Sequence, residues 1–130
     1  MCSEDDKGKK LLKDSRLLGR SGQKLCEKFL KNKGYKLLAR NFLCKTGEID
    51  LIMAVPEGVI VFVEVKTRTN ENFVDAEAAI TKAKQIRMNR AAKFFIKTHK
   101  LEHLPMRFDV VIVMAYEKDR PEIRHYENAF

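Results

Sequence analysis

Two short apolar runs near the middle of the chain constrain its fold more than any other feature. Residues 48–55 and 59–68 are rich in Val and Ile, and the tripeptide Pro-Glu-Gly at 56–58 separates them. Pro suits the first central position of a type I turn and Gly suits a left-handed residue after it, so this tripeptide matches a common hairpin loop. We therefore predict two antiparallel strands in which Val55 faces Val59 and paired residue numbers sum to 114.

Before Arg68 at the end of the second run, four charged residues interrupt these apolar runs at the ends remote from the turn. In the predicted register Asp50 lies opposite Glu64, and Glu48 lies opposite Lys66, all on one face, because side chains on a strand alternate. A two-residue loop would put them on opposite faces. Two opposed carboxylates repel unless a positive group lies between them. Either cross-strand salt bridges or a hard divalent cation such as Mg²⁺ or Mn²⁺ would account for the cluster.

The other apolar patterns predict helices that pack on a mixed sheet, in the order αβββαβ(β). A chain of 130 residues suffices for one domain, which we expect at 13–130 after a polar leader at 1–12. Besides the hairpin, the predicted elements are a helix from Asp14 or Ser15 to about Lys33, a strand at 35–42, a helix at about 76–98 with Thr81 as an internal start, a strand at 107–115 and an edge strand at 122–127.

Apolar residues of the two predicted helices differ in how sharply they define a face. In the first helix Leu18, Leu25, Cys26, Phe29 and Leu30 follow a helical stripe. The second helix has a wider arc, which predicts cover on more than one side; its apolar residues are Ile80, Ala83, Ile86, Ala91, Phe94 and Phe95.

Positive charge is confined to two segments of the chain. The net charge is +8, yet residues 11–40 carry nine basic and two acidic groups and residues 76–100 carry seven and one, whereas residues 41–75 carry three and six. Such basic segments indicate either a polyanion partner such as nucleic acid or solvated helix faces. No apolar run reaches the roughly 18–20 residues that span a bilayer, and the first ten residues lack the apolar stretch of a secretory signal. Three cysteines without ligand spacing suggest free thiols in the cytoplasm.

Several motifs together resemble one family. Asp50 followed by Glu64-Val65-Lys66 fits the short D…(D/E)-x-K signature of the PD-(D/E)XK nuclease superfamily. A longer colinear match is more specific, and with it the chain from about residue 17 to 130 is similar to the YraN-like family of small bacterial proteins within that superfamily. The motifs are "LGRSGQKLCEKFLKNKGYKLLARNF", "GEIDLIM", "VFVEVKTR", "RFDVVIV" and "ENAF".

The resemblance implies a restriction-endonuclease-like core, similar to archaeal Holliday junction resolvases, and phosphodiester hydrolysis assisted by Mg²⁺ or Mn²⁺. Asp50 and Glu64 would be the metal ligands, and Lys66 would orient the attacking water and stabilise the phosphate. Glu48 is an extra acid that could bind a second ion or position Lys66. The family usually has a glutamate on the first helix where this chain has Gln23, an uncharged ligand.

Residues outside this core set have less specific interpretations. Glu27, one helical turn after Gln23, is a candidate substitute for the missing glutamate. Contacts to a nucleic-acid backbone are expected from Arg68, Lys82, Lys84 and Arg87, and further along the helix from Arg90, Lys93 and Lys97, although solvated positions are the alternative for each. The resemblance implies that Gln85 contacts either the scissile phosphate or the backbone of the strand that bears Glu64. We expect Arg107 to pair with Asp109 or its neighbours, and we expect His99, His103 and His125 at the surface.

The sequence thus favours a metal-dependent nuclease acting on DNA, with branched or flapped structures suggested by the superfamily. A nuclease-like domain that binds nucleic acid or a partner protein without catalysis is the alternative. A purely structural α/β protein with salt-bridged charges is a third. No membrane partner is expected, and a homodimer is an option because many nucleases of the superfamily are dimeric.

Overall fold

The computed structural model describes residues 15–68, 80–114 and 121–130, with side chains from Arg20 onward in the first range. Within these residues a five-stranded mixed sheet lies between two helices, the α/β arrangement of a restriction-endonuclease-like core. In chain order the elements are α1 (Ser15–Asn32), β1 (Lys36–Cys44), β2 (Gly47–Ala54), β3 (Ile60–Arg68), α2 (Lys82–Thr98), β4 (Met106–Met114) and β5 (Glu122–Tyr126). The expected leader at 1–12 and the segments 69–79 and 115–120 lie outside the described residues.

The strands follow one another across the sheet in chain order. β1, β2 and β3 form an antiparallel meander, β4 pairs parallel to β3, and β5 pairs antiparallel to β4 at the edge. In the β2–β3 hairpin Leu51 faces Val63 and Ala54 faces Ile60, so paired numbers sum to 114. The amide of Val55 donates to the carbonyl of Val59 at 3.0 Å, which closes the turn. The register predicted from the Pro-Glu-Gly loop is therefore confirmed for these pairs.

Each face of the sheet is covered by one helix. The core beneath α1 contains Cys26 and Leu30 of that helix against odd-numbered residues of the central strands, among them Leu51, Val63 and Val111. The core beneath α2 contains the following residues: Ile49, Ile52, Ile60, Phe62, Met88, Ala91, Ala92, Phe95, Ile96 and Phe108. The predicted stripe of the first helix is confirmed for its described positions, because Cys26 and Leu30 are buried and Leu25 and Phe29 pack beside them.

The wide arc predicted for the second helix is wrong, because its described part buries one face only. Ile80, just before the helix, is buried as expected. Ala83, Ile86 and Phe94 are exposed instead, because they lie on the opposite side of the helix from Met88. The buried positions of α2 are Met88, Ala91, Ala92, Phe95 and Ile96, whose spacing of three and four residues is that of a single helical face.

An irregularity shared by β1 and β2 changes the direction of side chains near the charged cluster. Ile49 and Ile52 are three residues apart, yet both pack in the core beneath α2, so the alternation of β2 is interrupted between them. Ile49 pairs with Phe42, and Asn41 next to it adopts a left-handed conformation with a φ of 49°. In a regular strand, residues three apart face opposite sides, so Ile49 is the residue that departs from alternation. The strand is locally reshaped beside Asp50.

A buried polar network fixes the end of the chain to the sheet. Asp109 is fully buried and accepts hydrogen bonds from Arg107 at 3.0 Å, from Nε2 of His125 at 2.7 Å and from the amide of Asn128 at 3.0 Å. The predicted pairing of Arg107 with Asp109 is confirmed. The surface position expected for His125 is wrong, because its side chain is only 2% exposed. Its Nε2 atom can be buried since it hydrogen-bonds to the Asp109 carboxylate in place of water. His99 and His103 are exposed as expected.

None of the helices in the described part of the chain is long and apolar enough to cross a membrane.

Candidate active site

Three carboxylates line one cavity at the ends of β2 and β3 remote from the hairpin turn. The cavity measures about 200 Å³, and its walls are formed by Glu48 and Asp50 of β2, Glu64 of β3, and Lys84, Arg87 and Met88 of α2. The predicted clustering of Glu48, Asp50 and Glu64 is therefore present. It lies at an irregular point of β2, and α2, a helix outside the hairpin, forms part of the cavity wall.

Glu64 is the most enclosed acid of the cluster and bonds to two lysines. Its side chain is 4% exposed, and its Oε1 atom lies 2.5 Å from Nζ of Lys84 and 3.4 Å from Nζ of Lys66. Burying a carboxylate is tolerable when charged donors replace the water it loses. Lys66 thus contacts Glu64 of its own strand, two residues away, whereas the sequence suggested a bridge from Lys66 across to Glu48.

Asp50 is turned toward the backbone of β3. Its Oδ2 atom accepts a hydrogen bond of 2.9 Å from the amide of Val65. Burial raises the pKa of Asp50 to about 6, with a further upward contribution from the Glu64 carboxylate, while the Val65 amide and the Lys84 ammonium act in the opposite direction. Two acids that repel in a partly enclosed cavity form a place where positive charge is stabilised.

The start of α2 brings Lys84 into the cavity. Thr81 caps the helix, and its side-chain oxygen accepts from the amide of Lys84 at 3.1 Å, so the predicted start at Thr81 is confirmed. Gln85 donates from its side-chain amide to the carbonyl of Ile80 at 3.3 Å and steadies the segment that enters the helix. Sequence reasoning missed Lys84 as a partner of Glu64. A usable signal existed, because Lys84 lies four residues before Met88 and hence on the buried face of α2.

The other predicted nucleic-acid contacts differ in whether they reach this cavity. Arg87 lines it, and the backbone of Arg87 lies so close to Gly47 that a Cβ atom there would be 3.1 Å from the Arg87 carbonyl oxygen. Arg68 is half-buried and donates to the carbonyl of Thr67 at 3.1 Å. Lys82 is exposed on the first turn of α2.

On the other face, α1 closely approaches the last residues of β3. A Cβ atom on Gly22 would overlap Oγ1 of Thr67, the residue after Lys66, so glycine permits this approach. Gln23, the next residue, is half-buried. Glu27 is not available as a substitute ligand, because both its carboxylate oxygens bind Arg40, at 2.5 and 3.0 Å, and Lys31 is 2.9 Å away. The bonds from Arg40 and Lys31 lower the pKa of Glu27 to about 2.

The donor set suits a hard divalent cation that retains part of its water shell. Among the residues that the structure describes, no three His, Cys, Asp or Glu side chains form a metal-binding group. Asp50 and Glu64 supply two carboxylates to one cavity, and Oδ1 of Asp50 remains as an acceptor beside the oxygen that Val65 occupies. Mg²⁺ is commonly held by one or two carboxylates, with water and substrate phosphate completing its octahedron. The residues present fit such an ion.

Comparisons with known proteins identify relatives over most of the chain. A solved structure, that of SfsA from Pyrococcus furiosus in complex with Ca²⁺, matches with a TM-score of 0.36 and 15% identity over 88% of this chain and 64% of that one. Among curated proteins, a UPF0102 protein of Caldicellulosiruptor saccharolyticus is 42% identical over 118 residues, covering 90% of this chain and 99% of the relative. A UPF0102 protein of Lachnoclostridium phytofermentans is 45% identical over 103 residues, covering 78% of this chain and 82% of the relative. The model of the Uncharacterised protein family UPF0102 matches residues 22–113, and the chain belongs to this family.

Proposed function

We propose that this protein is a metal-dependent nuclease that hydrolyses phosphodiester bonds in DNA. The observation that carries the proposal is the approach of Asp50 and Glu64 at one cavity, where the ammonium groups of Lys84 and Lys66 both contact the Glu64 carboxylate. Two acids and a lysine in this arrangement can hold a divalent cation beside a phosphate and offset the negative charge that develops on it.

The acids and the lysine of the cluster have different roles in this chemistry. Asp50 and Glu64 would hold Mg²⁺ or Mn²⁺, which polarises the phosphate and lowers the pKa of bound water. The side chain of Lys66 is 23% exposed and its ammonium lies 3.4 Å from Oε1 of Glu64, where it can orient the attacking water and donate to a non-bridging phosphate oxygen. Glu48 is exposed at the rim and adds negative charge for a second ion.

Exposed basic residues of α2 would hold the nucleic-acid backbone beside the cavity. The helix begins at the site, and its exposed side carries Lys82, Arg87, Arg90, Lys93 and Lys97. Such groups contact phosphates and therefore bind by charge and shape without reading base sequence. Branched or flapped DNA is the substrate class we propose, together with a cytoplasmic location, where thiols such as those of Cys26 and Cys44 stay free. A homodimer is compatible with this function.

A second candidate is a nuclease-like domain that binds nucleic acid or a partner without cutting. Two ammonium groups, those of Lys66 and Lys84, already balance the charge of Asp50 and Glu64. Gln23 in place of a glutamate removes one negative charge from the first helix. Both features favour a site that persists without a metal ion.

Cleavage of labelled single-stranded, duplex, flapped and four-way-junction DNA with Mg²⁺, Mn²⁺ or EDTA tests the two candidates. We expect metal-dependent cleavage that Asp50→Asn and Lys66→Ala abolish. Lys36→Ala serves as the control, because Lys36 is exposed, pairs with Ala54 near the hairpin turn and so lies at the other end of the sheet. Binding that is sensitive to salt, without cleavage of any substrate, would support the binding domain and contradict the nuclease.

A further inference from the structure

Lys84 binds the carboxylate that a metal ion would need. Its Nζ atom lies 2.5 Å from Oε1 of Glu64, the shortest contact that either lysine of the cluster makes with this oxygen. Glu64 is 4% exposed, so its carboxylate cannot turn outward to solvent and must exchange partners within the cavity. Any cation that enters beside Asp50 therefore meets an oxygen already bonded to an ammonium group.

Oε1 of Glu64 cannot coordinate a divalent cation and keep an undiminished hydrogen bond to the Lys84 ammonium at the same time. Both are positive, and at separations of a few ångströms in a partly enclosed site their repulsion is large. The two lysines differ in how readily they can withdraw. Lys84 is 33% exposed and stands on a four-carbon stem at the first turn of α2, at the cavity wall, whereas Lys66 is 23% exposed and lies 3.4 Å from the same oxygen.

We propose that Lys84 is a displaceable counter-ion of the metal site: it occupies Glu64 when no metal is bound, competes with the divalent cation for that carboxylate, and on displacement turns its ammonium toward the substrate phosphate. This inference rests on the proposed function. It gives Lys84 a role different from that of a general backbone contact, because it links metal occupancy to the position of a positive charge beside the scissile phosphate.

Isothermal titration calorimetry of the purified protein with Mn²⁺ tests this competition without any measurement of cleavage. We expect Lys84→Met to bind Mn²⁺ about tenfold more tightly than the unmodified protein, because a charge-assisted hydrogen bond no longer has to be broken. Lys84→Arg retains the positive charge and is expected to keep the original affinity. Lys82→Met is the matched control, since it removes the same charge from the same helical turn at an exposed position.

Each outcome supports or overturns the inference. Tighter Mn²⁺ binding by Lys84→Met supports the inference when the affinity of Lys82→Met stays within about twofold of the unmodified protein. Lys84→Gln provides the same comparison if the methionine variant fails to fold. Equal gains in Mn²⁺ affinity for Lys84→Met and Lys82→Met would mean that only the overall electrostatic potential changed, and would overturn the inference. Mn²⁺ binding by the unmodified protein that Lys84→Met leaves unchanged or weakens overturns the inference but leaves the metal site standing. No Mn²⁺ binding by any of the proteins would overturn both this inference and the proposed metal-dependent function.

Discussion

The carboxylate of Asp50 accepts a hydrogen bond from the backbone amide of Val65 just beyond the last ladder pair of their hairpin. That pair is Leu51 with Val63, and the Asp50 contact measures 2.9 Å. The Asp50 side chain thus occupies a backbone amide of β3 at the end of the strand ladder. The regular pairing of β2 with β3 ends there, where the cavity begins. The site is therefore built into the end of the sheet.

Removing the charge of Asp50 is expected to stabilise the fold at neutral pH. Asp50→Asn keeps an oxygen that can accept from Val65 but removes the repulsion with Glu64. Because the pKa of Asp50 in the folded state, about 6, lies above its ordinary value of 3.8, the folded protein loses stability as pH rises through this range. We expect a gain of about 1–3 kcal/mol at pH 8 that vanishes near pH 4. Urea unfolding in EDTA across this range measures it. A gain independent of pH would contradict the prediction.

The ion pair between Glu27 and Arg40 is expected to fasten α1 to β1 above pH 5. Because the pKa of Glu27 is lowered from 4.5 to about 2, its contribution is present above the unfolded value and is lost as pH falls toward 2. Arg40 is 55% exposed, so solvent screening limits the loss in Glu27→Gln to about 1 kcal/mol. Denaturant unfolding of Glu27→Gln, Arg40→Met and the double variant gives the coupling energy. Additive effects of the two substitutions would show that the pair contributes nothing.

A methyl group at Gly22 is expected to push α1 away from β3. The added Cβ atom would overlap Oγ1 of Thr67 and lie 3.3 Å from its Cβ. Alanine gains about 1 kcal/mol of helix propensity, but overpacking costs about 1–3 kcal/mol, so Gly22→Ala should be destabilising by up to about 2 kcal/mol. Thermal unfolding compares Gly22→Ala with Gly22→Ala/Thr67→Ala, in which the obstructing hydroxyl is gone. Failure of the second substitution to restore stability would contradict this account of the contact.

Neutralising Asp109 is expected to loosen the end of the chain without affecting the cavity. Burial alone would raise the pKa of Asp109, but the bonds from His125, Arg107 and the Asn128 amide outweigh it and hold that pKa below its usual value. Asp109→Asn removes the charged acceptor that Arg107 and His125 share and leaves Arg107 with Glu127, 3.6 Å away, as a charged partner, which costs about 1.5–3 kcal/mol. Hydrogen exchange should accelerate in β5 and the residues after it more than in β2. Uniform acceleration throughout the sheet would show that the network has no local role.

Local rules were sufficient for the hairpin but not for the geometry at Asp50. The Pro-Glu-Gly loop determined the register because turn chemistry acts over a few neighbouring residues. The interrupted alternation of β2 coincides with a left-handed residue on the neighbouring strand, Asn41 of β1, which lies between the pairs Arg40–Leu51 and Phe42–Ile49. The left-handed Asn41 lies on one strand and the inward-facing Ile49 on its neighbour. A feature that involves two strands is a tertiary effect, which the alternation of residues within either strand cannot predict.

The contact between Lys84 and Glu64 illustrates a second kind of limit. The two residues are twenty positions apart, and only the packing of α2 on the sheet brings them together. The sequence showed Lys84 as one of many basic residues on a helix whose buried face was assigned too broadly. Once the face is defined by Met88 and its neighbours, the inward position of Lys84 follows. Likewise, His125 was placed at the surface because its sequence neighbours are polar, and these neighbours do not report the approach of Asp109.

The position of β3 between an antiparallel and a parallel neighbour has a consequence for how the protein folds. Its pairing with β2 closes a loop of three residues, whereas its pairing with β4 joins Val61 to Arg107 and closes a far longer segment that contains α2. Loop closure of that length is slower and costs more entropy. On the ribosome the meander can form first, and until β4 emerges the strand that bears Glu64 and Lys66 is an open sheet edge, exposed to pairing with any other extended chain.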